Sequence, residues 1–179
     1  MSAPGPAVLA LNAGSSSLKF ALYPCQGRDV AAAHLSGAIE GLEPGGVPAL
    51  RLRDAAGAKL PGAMAPAPAP SADENDAPFA QALLTLAAAL RQHAGAYTLA
   101  AVAHRIVHGG EHYTDSVLLD QDALAYLATL APLAPLHQRH NLAGVLACRR
   151  DWPLLPQVGC FDTSFHHGMA AVARRRRDG

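Results

Sequence analysis

The sequence has few cysteines, few aromatic residues and no excess charge of either sign, and each scarcity excludes a class of protein. Its three cysteines, Cys25, Cys148 and Cys160, are widely spaced and form no C-x-x-C pair. This argues against a disulfide framework or a zinc knuckle and favours a reducing compartment. Aromatic residues make up only 5% of the chain, so we expect a core of small and branched aliphatic side chains.

Charge and hydropathy exclude two classes of partner. Fourteen basic and fourteen acidic residues cancel, so no overall field favours nucleic acid or a membrane surface. Four consecutive arginines at 174–177 are interpreted as a solvated tail. No apolar stretch approaches the roughly 20 residues needed to span a bilayer, and the amino terminus lacks the basic segment of a signal peptide. We therefore expect a cytoplasmic protein that binds neither nucleic acid nor membranes.

The first part of the chain is predicted to form a β-hairpin. Residues 7–12 are a short apolar run, residues 18–23 are a second run with polar alternation, and the Gly-Ser-Ser-Ser between them predicts a tight turn. Residues 31–40 are a candidate third strand. The segment at about 44–70 is rich in Pro, Gly and Ala, and is predicted to be irregular or extended.

The second part alternates helices and strands. Its predicted elements are a helix from Phe79 to about Gln92, a strand at 98–107, a helix from Asp120 to Pro132, a helix from Asn141 to Pro153 and a strand at 156–161. Asn141 is the predicted N-cap of its helix. Strands separated by helices need crossover connections and pair in parallel. The predicted fold is therefore α/β, with a mixed sheet that begins with an antiparallel hairpin, and the length suits one domain.

Four segments carry side chains suited to phosphate or carboxylate chemistry. The first is the turn Asn12-Ala13-Gly14-Ser15-Ser16-Ser17-Leu18-Lys19, which clusters backbone N–H groups, hydroxyls and one of only two lysines. Such a turn either cradles phosphate or is a plain polar hairpin, and its spacing is not that of a Walker A loop. Asn12 is a candidate oxygen ligand for a hard cation such as Mg²⁺.

The second segment is His104-Arg105-Ile106-Val107-His108-Gly109-Gly110, where a predicted strand meets a glycine turn. Strand ends that open on loops are where α/β sheets bind ligands, and Arg is the side chain best matched to a carboxylate or phosphate. The alternative is an arginine paired with a nearby Asp. The two histidines are four residues apart on a strand pattern, which disfavours a zinc site.

The last two segments each contribute one candidate. Leu133-Ala134-Pro135-Leu136-His137 is an apolar turn with one imidazole, which is either structural or functional. The segment 157–166 contains Asp162 directly after a buried strand. That carboxylate either handles a metal or a proton, or caps the helix that follows.

In this order the four segments resemble those of the acetate kinase family, over the range from Val8 to about His166. The resemblance implies a ribonuclease H-like or actin-like ATPase domain of βββαβαβα order over residues 1–179. It also implies reversible transfer of the γ-phosphoryl group of ATP to acetate, which gives acetyl phosphate and ADP. A divalent metal, Mg²⁺ or Mn²⁺, and a homodimer are common in the family.

The resemblance assigns the first segment to the nucleotide. Asn12 would help to hold the metal, and Ser15, Ser17 and Lys19 would border the phosphates of ATP.

The other three segments are assigned to the acyl and phosphoryl groups. Arg105 would bind the acetate carboxylate or the transferred phosphoryl group, and Val107 and Leu136 would line the pocket for the methyl group. His137 would donate a hydrogen bond to the phosphoryl oxygens. Asp162 would be the active-site carboxylate, as an organiser of the metal or of Arg105.

The chain departs from the family in two places. After His137 it has Gln138-Arg139-His140-Asn141 where the family has N-P-x-N, so we expect a looser turn there. The ending at 170–179 is arginine-rich where the family continues into a second domain, so we expect a truncated form with little or no turnover alone. The alternatives are a propionate or butyrate kinase and a non-catalytic nucleotide-binding or interaction fragment.

Overall fold

A computed structural model describes residues 5–66, 77–133 and 135–162, without the side chains of residues 77 and 133–137. Its elements in chain order are β1 (Gly5–Ala13), β2 (Ser17–Gln26), β3 (Asp29–Val30), β4 (Leu35–Glu40), β5 (Ala49–Asp54), β6 (Lys59–Leu60), α1 (Ala77–His93), β7 (Tyr97–Ile106), β8 (Val117–Leu118), α2 (Gln121–Thr129), α3 (Pro135–Asp151) and β9 (Gln157–Phe161). A 3₁₀ turn, Ala131–Leu133, lies between α2 and α3. None of the helices in these ranges is both long and apolar enough to cross a membrane.

The strands form one mixed sheet in the order β6-β5-β4-β2-β1-β7-β9-β8, with β3 paired to β2. Strands β1, β7 and β9 are parallel neighbours, and the remaining pairs are antiparallel. The predicted α/β class, the initial hairpin and the parallel crossovers are therefore confirmed. The short strands β3, β6 and β8 were not predicted, because two residues are too few to produce a periodic pattern.

The predicted hairpin is formed by β1 and β2, which pair Asn12 with Lys19 and Ala13 with Leu18. The backbone N–H of Gly14 donates to the carbonyl of Ser17 at 2.9 Å and closes the turn. Because side chains alternate between the two faces of a strand, Asn12 and Lys19 share one face. The apolar residues between them lie on the other face.

Helices α1, α2 and α3 pack on one face of the sheet, where the main core lies. Their apolar side chains meet every second residue of the central strands, which include Leu9, Leu11, Phe20, Leu22 and Val102. A second cluster joins the ends of β7 and β9 to α2 and α3 through Ile106, Leu119, Leu127, Val145 and Phe161. The alternate residues of the central strands face away from these helices.

The helices begin and end close to the predicted positions, with one exception. Helix α1 is followed by Gly95, whose φ of 63° suits a helix end. Asp120 caps α2, since its Oδ1 accepts from the N–H of Ala123 at 2.8 Å. The prediction that Asn141 is an N-cap is wrong, because α3 begins at Pro135. A proline is favourable in the first turn, where its missing N–H has no partner to lose.

The structure corrects one further prediction and refines another. Residues 138–141 belong to α3, so the stretch after His137 is helical and is not a loosened turn. The segment 44–70, which was predicted to be irregular or extended, contains two extended strands, β5 and β6, that were not predicted individually. Strand β5 alternates Leu and Arg, with Leu52 buried and Arg51 bonded to Glu40 of β4 at 2.9 Å. The surrounding Pro and Gly composition obscured this alternation.

Candidate functional site

The carboxyl ends of β1, β7 and β9 meet at one edge of the sheet. These strands are adjacent and parallel, so the residues at their ends are brought together although they are far apart in sequence. Asn12 lies at the end of β1, Arg105 near the end of β7, and Asp162 directly after β9. This is the position at which open α/β sheets bind their ligands.

Strand alternation directs Arg105 away from the helices. Its neighbours His104 and Ile106 face the core and are 3% and 0% exposed, whereas Arg105 is exposed. His104 is held by a hydrogen bond from its Nε2 to Gln157 Oε1 at 2.6 Å. Burial lowers the pKa of His104 from its ordinary value, and the bond to Gln157 offsets part of that effect. A neutral imidazole therefore supports the strand beneath Arg105.

Arg105 and Asp162 form a two-point ion pair. The arginine Nε donates to Asp162 Oδ1 at 2.8 Å, and a terminal guanidinium nitrogen donates to Oδ2 at 2.7 Å. This fork geometry is the strongest form of the arginine–carboxylate contact. The hydrogen bonds to Asp162 raise the pKa of Arg105 above its ordinary value. The pair is open to solvent, since the two side chains remain 54% and 34% exposed, so an incoming anion can reach it.

The ion pair lies on the wall of a cleft of about 340 Å³. The cleft is lined by Asn12, Ala13, Gly14, Ser17, Lys19, Arg105, Val107, Asn141 and Asp162. Two cations and one carboxylate give the wall a net positive charge, which favours anionic ligands. The structure thus brings together six of the residues singled out in the sequence: Asn12, Ser17, Lys19, Arg105, Val107 and Asp162.

Three predicted site residues are not placed in the cleft. Ser15 is exposed at the tip of the hairpin and is not among the lining residues. The backbones of Leu136 and His137 lie in the first turn of α3, but their side chains are outside the described part of the chain. Their predicted roles stay predictions.

The glycine turn after Val107 packs closely against Phe161, the residue directly before Asp162, and against Tyr113. A Cβ on Gly109 would lie 2.6 Å from the Tyr113 carbonyl oxygen and 2.9 Å from Phe161 Cγ. The rings of Tyr113 and Phe161 stack at a centroid distance of 5.6 Å. A glycine is therefore needed at this position to let the loop after β7 approach the end of β9, where Asp162 follows.

Asn141 is a site residue whose position the sequence analysis did not predict. It is 4% exposed and reaches from the interior of α3 to the cleft wall. Its Nδ2 donates to the Ala13 carbonyl at 2.6 Å, and its Oδ1 accepts from the Val107 N–H at 3.1 Å. The signal was a polar residue on the apolar face of a helix, since Val145 is one turn further along that face.

The donor set for a metal ion is small. Across residues 5–66, 77–133 and 135–162, no group of three or more His, Cys, Asp or Glu side chains is placed to hold a metal. The cleft offers the amide of Asn12 and the carboxylate of Asp162, and both oxygens of that carboxylate accept from Arg105. This set fits an ion bound mainly by phosphate oxygens and water, as Mg²⁺ commonly is, and does not fit a cage built from protein ligands alone.

A positively charged cleft at the carboxyl ends of parallel strands, with a hydroxyl-rich turn and a forked arginine, defines an α/β domain whose cleft is suited to oxyanions. A profile of the Acetokinase family matches residues 7–175. The chain belongs to the acetokinase family.

Individual relatives agree with the profile. The chain is 42% identical to an acetate kinase of Methylocella silvestris over 164 residues, which are 89% of this chain and 39% of that protein. It is 40% identical to an acetate kinase of Rhizobium meliloti over 169 residues, which are 92% of this chain and 39% of that protein. The chain thus spans about two fifths of the length of the relatives it matches.

Solved structures show the same architecture. A propionate kinase from Francisella tularensis superposes with a TM-score of 0.72 at 29% identity, over 93% of this chain and 39% of that one. An acetate kinase from Porphyromonas gingivalis gives a TM-score of 0.71 at 32% identity, over 92% and 39% of the two chains. The predicted actin-like α/β fold is confirmed by these two structures.

Proposed function

We propose that this chain carries the carboxylate- and phosphoryl-binding wall of an acetate kinase, which transfers the γ-phosphoryl group of ATP reversibly to acetate. The observation that carries the proposal is the cleft in which Arg105, Lys19 and Asp162 meet at the strand ends, in a chain of the acetokinase family. The chain matches 39% of the length of the Methylocella silvestris relative. The activity of the whole enzyme is therefore also part of what we propose.

The chemistry requires positive charge more than it requires a base. A carboxylic acid with a pKa of about 4 to 5 is already ionised at neutral pH, so acetate needs no proton acceptor to act as a nucleophile. The obstacle is the repulsion between two anions. Catalysis then consists mainly of positioning and of charge stabilisation, which is the general pattern of phosphoryl transfer.

The cleft residues suit these two tasks. Arg105 would hold the acetate carboxylate or the transferred phosphoryl group, with the side chain of Val107 beside the methyl group. Lys19 and the hydroxyl of Ser17 would meet the phosphates of ATP, and Ser15 would reach them from the tip of the turn. Each unit charge about 4 Å from an anion contributes on the order of 1 to 4 kcal/mol in surroundings of this polarity.

A divalent metal, His137 and Leu136 are the remaining parts of the proposed site. Asn12 and Asp162 would help to hold Mg²⁺, or Mn²⁺, which would supply further positive charge at the phosphates. His137 would donate to the phosphoryl oxygens, and Leu136 would line the acyl pocket. A cytoplasmic homodimer, which binds neither nucleic acid nor membranes, is the proposed state of the complete protein.

A chimera tests the proposal. This chain would replace the matching amino-terminal segment of the Methylocella silvestris acetate kinase, and acetyl phosphate formed from ATP, Mg²⁺ and acetate would be trapped with hydroxylamine. We expect turnover, and we expect R105A to reduce it by at least about 100-fold, as removal of a transition-state charge contact does. A folded chimera without activity, beside an active parent enzyme, would refute the proposal. The 179-residue chain alone is assayed in parallel.

Propionate is a second candidate acceptor. The propionate kinase superposes on this chain as well as the acetate kinase does, with TM-scores of 0.72 and 0.71. One methylene changes binding by only about 1 to 3 kcal/mol, so the choice depends on small differences in the pocket near Val107. If this chain favours propionate, the chimera will use propionate better relative to acetate than the parent enzyme does. An unchanged ratio would favour acetate.

A further inference from the structure

The pairing of β1 with β7 stops just before the cleft. The last paired residues are Leu11 and His104, and the residues that follow, Asn12 and Arg105, line the cleft. Beyond that point β1 and β7 are each paired to their other neighbour, β2 or β9, and a direct connection between the two segments would add to these pairings. The Asn141 side chain supplies it, through Ala13, two residues past Leu11, and Val107, three residues past His104.

Asn141 is suited to this role because its amide has both a donor and an acceptor. Its Nδ2 bonds to the Ala13 carbonyl at 2.6 Å, and its Oδ1 bonds to the Val107 N–H at 3.1 Å. An ionised aspartate could serve the Val107 N–H but would face the Ala13 carbonyl with a second acceptor. Alanine could serve neither. The side chain is 4% exposed, so water has little access to replace a lost bond.

The two bonds end on the backbone of the two cleft segments. Ala13 follows Asn12 and precedes the serine turn, which we define as residues 14–17. Val107 follows Arg105 by two residues. A displacement of either segment would change the distance between the hydroxyl and lysine side of the cleft and the arginine side. An anion that bridges the two sides would then lose contact with one of them.

We propose that Asn141 is a positioning residue that holds the serine turn and the Arg105 segment at the separation needed to bind one tetrahedral anion between them. This inference rests on the proposed function, since it assumes that the anion is the transferred phosphoryl group. Asn141 touches neither the substrate nor the nucleotide in this scheme. It acts through the backbone of Ala13 and Val107.

The test uses the full 179-residue chain, with sulfate as the probe because it is tetrahedral and fully charged near neutral pH. NMR would follow the amide of Ser17 and the Nε–H of Arg105 during a sulfate titration. We expect N141A to weaken sulfate binding about tenfold, which equals about 1.4 kcal/mol. In N141D, which retains the acceptor, we expect the Val107 amide resonance to stay near its original position while the resonances of residues 13–17 move.

The matched control is T85V. Thr85 is fully buried in α1 and also makes two hydrogen bonds, one to Gln81 and one from Ala65, but it lies outside the cleft. We expect T85V to lower the melting temperature as N141A does while leaving sulfate affinity unchanged. Equal sulfate affinity in wild type, N141A and N141D would overturn the proposal and leave Asn141 a structural residue. If N141A does not fold, the Val107 and Gly14 amide resonances of N141D provide the comparison, because the carboxylate introduced by N141D would weaken sulfate binding by charge alone.

The same spectra separate this inference from the proposed function. If wild-type chain shows no sulfate shift at Ser17 or Arg105, the cleft is not an anion site and the proposed function fails. The positions of the Val107 and Gly14 amide resonances in N141D would still decide whether Asn141 holds the two segments. If neither segment responds to N141D, the inference fails even when the chimera is active.

Discussion

The Arg105–Asp162 pair leads to a prediction in which binding and turnover change in opposite directions. In D162N the aspartate charge is removed and Arg105 loses its ionic partner, so its guanidinium becomes free for an incoming carboxylate. Two unit charges 4 Å apart interact by about 1 kcal/mol in water and about 4 kcal/mol near a protein surface. The exposures of 54% and 34% place this pair toward the lower value. We therefore expect D162N to bind acetate about fivefold more tightly.

The cost in stability is expected to be small. Exposed ion pairs contribute about 0 to 1 kcal/mol, and 1 kcal/mol shifts the melting temperature of a chain of this size by about 2 to 4 °C. The chimera assay should give the opposite sign, because turnover requires Asp162 to organise Arg105 or the metal. There we expect a loss of at least about 100-fold.

Acetate affinity would be measured from the Arg105 Nε–H resonance of the 179-residue chain. The control is D151N, which also removes one carboxylate from an exposed pair, Arg150 Nε to Asp151 Oδ1 at 3.0 Å, at the other end of α3. D151N should leave acetate binding unchanged. Weaker acetate binding in D162N would refute the reasoning, since it would mean that Asp162 orients Arg105 for the ligand and does not compete with it.

Three further predictions follow from burial and close packing. Burial lowers the pKa of His104, so below about pH 6.5 the unfolded chain takes up a proton that the folded chain does not. The free energy of unfolding, measured by urea titration, should therefore fall between pH 7 and pH 5.5. In H104Q this fall should be shallower. Burial raises the pKa of the Cys148 thiol to about 12. Iodoacetamide should therefore label Cys25 in the native chain and Cys148 only after unfolding. Labelling of Cys148 in the native chain, detected by mass spectrometry, would contradict this. G109A should lower the free energy of unfolding by about 1 to 3 kcal/mol, because its Cβ would lie 2.9 Å from Phe161 Cγ; thermal unfolding equal to wild type would show that the loop can move aside.

The structure answers one question that the sequence left open, the role of Arg105. Arg105 was predicted either to bind an anion or to pair with a nearby Asp, and it does pair with Asp162, at a sequence separation of 57 residues. That partner is the other candidate of the same site. The two interpretations are therefore compatible, and the ion pair itself lies in the cleft.

Local patterns were sufficient for most of the elements. A short apolar run predicted β1, polar alternation predicted β2, and helical spacing predicted α1 and α2. The polar segments at strand ends, together with the family resemblance, predicted six of the cleft residues. These signals are readable because each depends on neighbours within a few residues. The resemblance to the acetate kinase family likewise rests on four segments in order along the chain, and the Acetokinase profile matches residues 7–175.

The tertiary structure shows how these residues meet. The order β1-β7-β9 places Asn12, Arg105 and Asp162 side by side, and no local pattern specifies the order of strands in a sheet. The structure also shows that Asn141, which was predicted to cap a helix, links Ala13 to Val107 through two hydrogen bonds. A side-chain amide can bond to any backbone group that the fold brings near, so its partners depend on contacts between distant parts of the chain. The candidate residues and their chemistry can be read along the chain, and the packing of α3 on the sheet fixes how they are held.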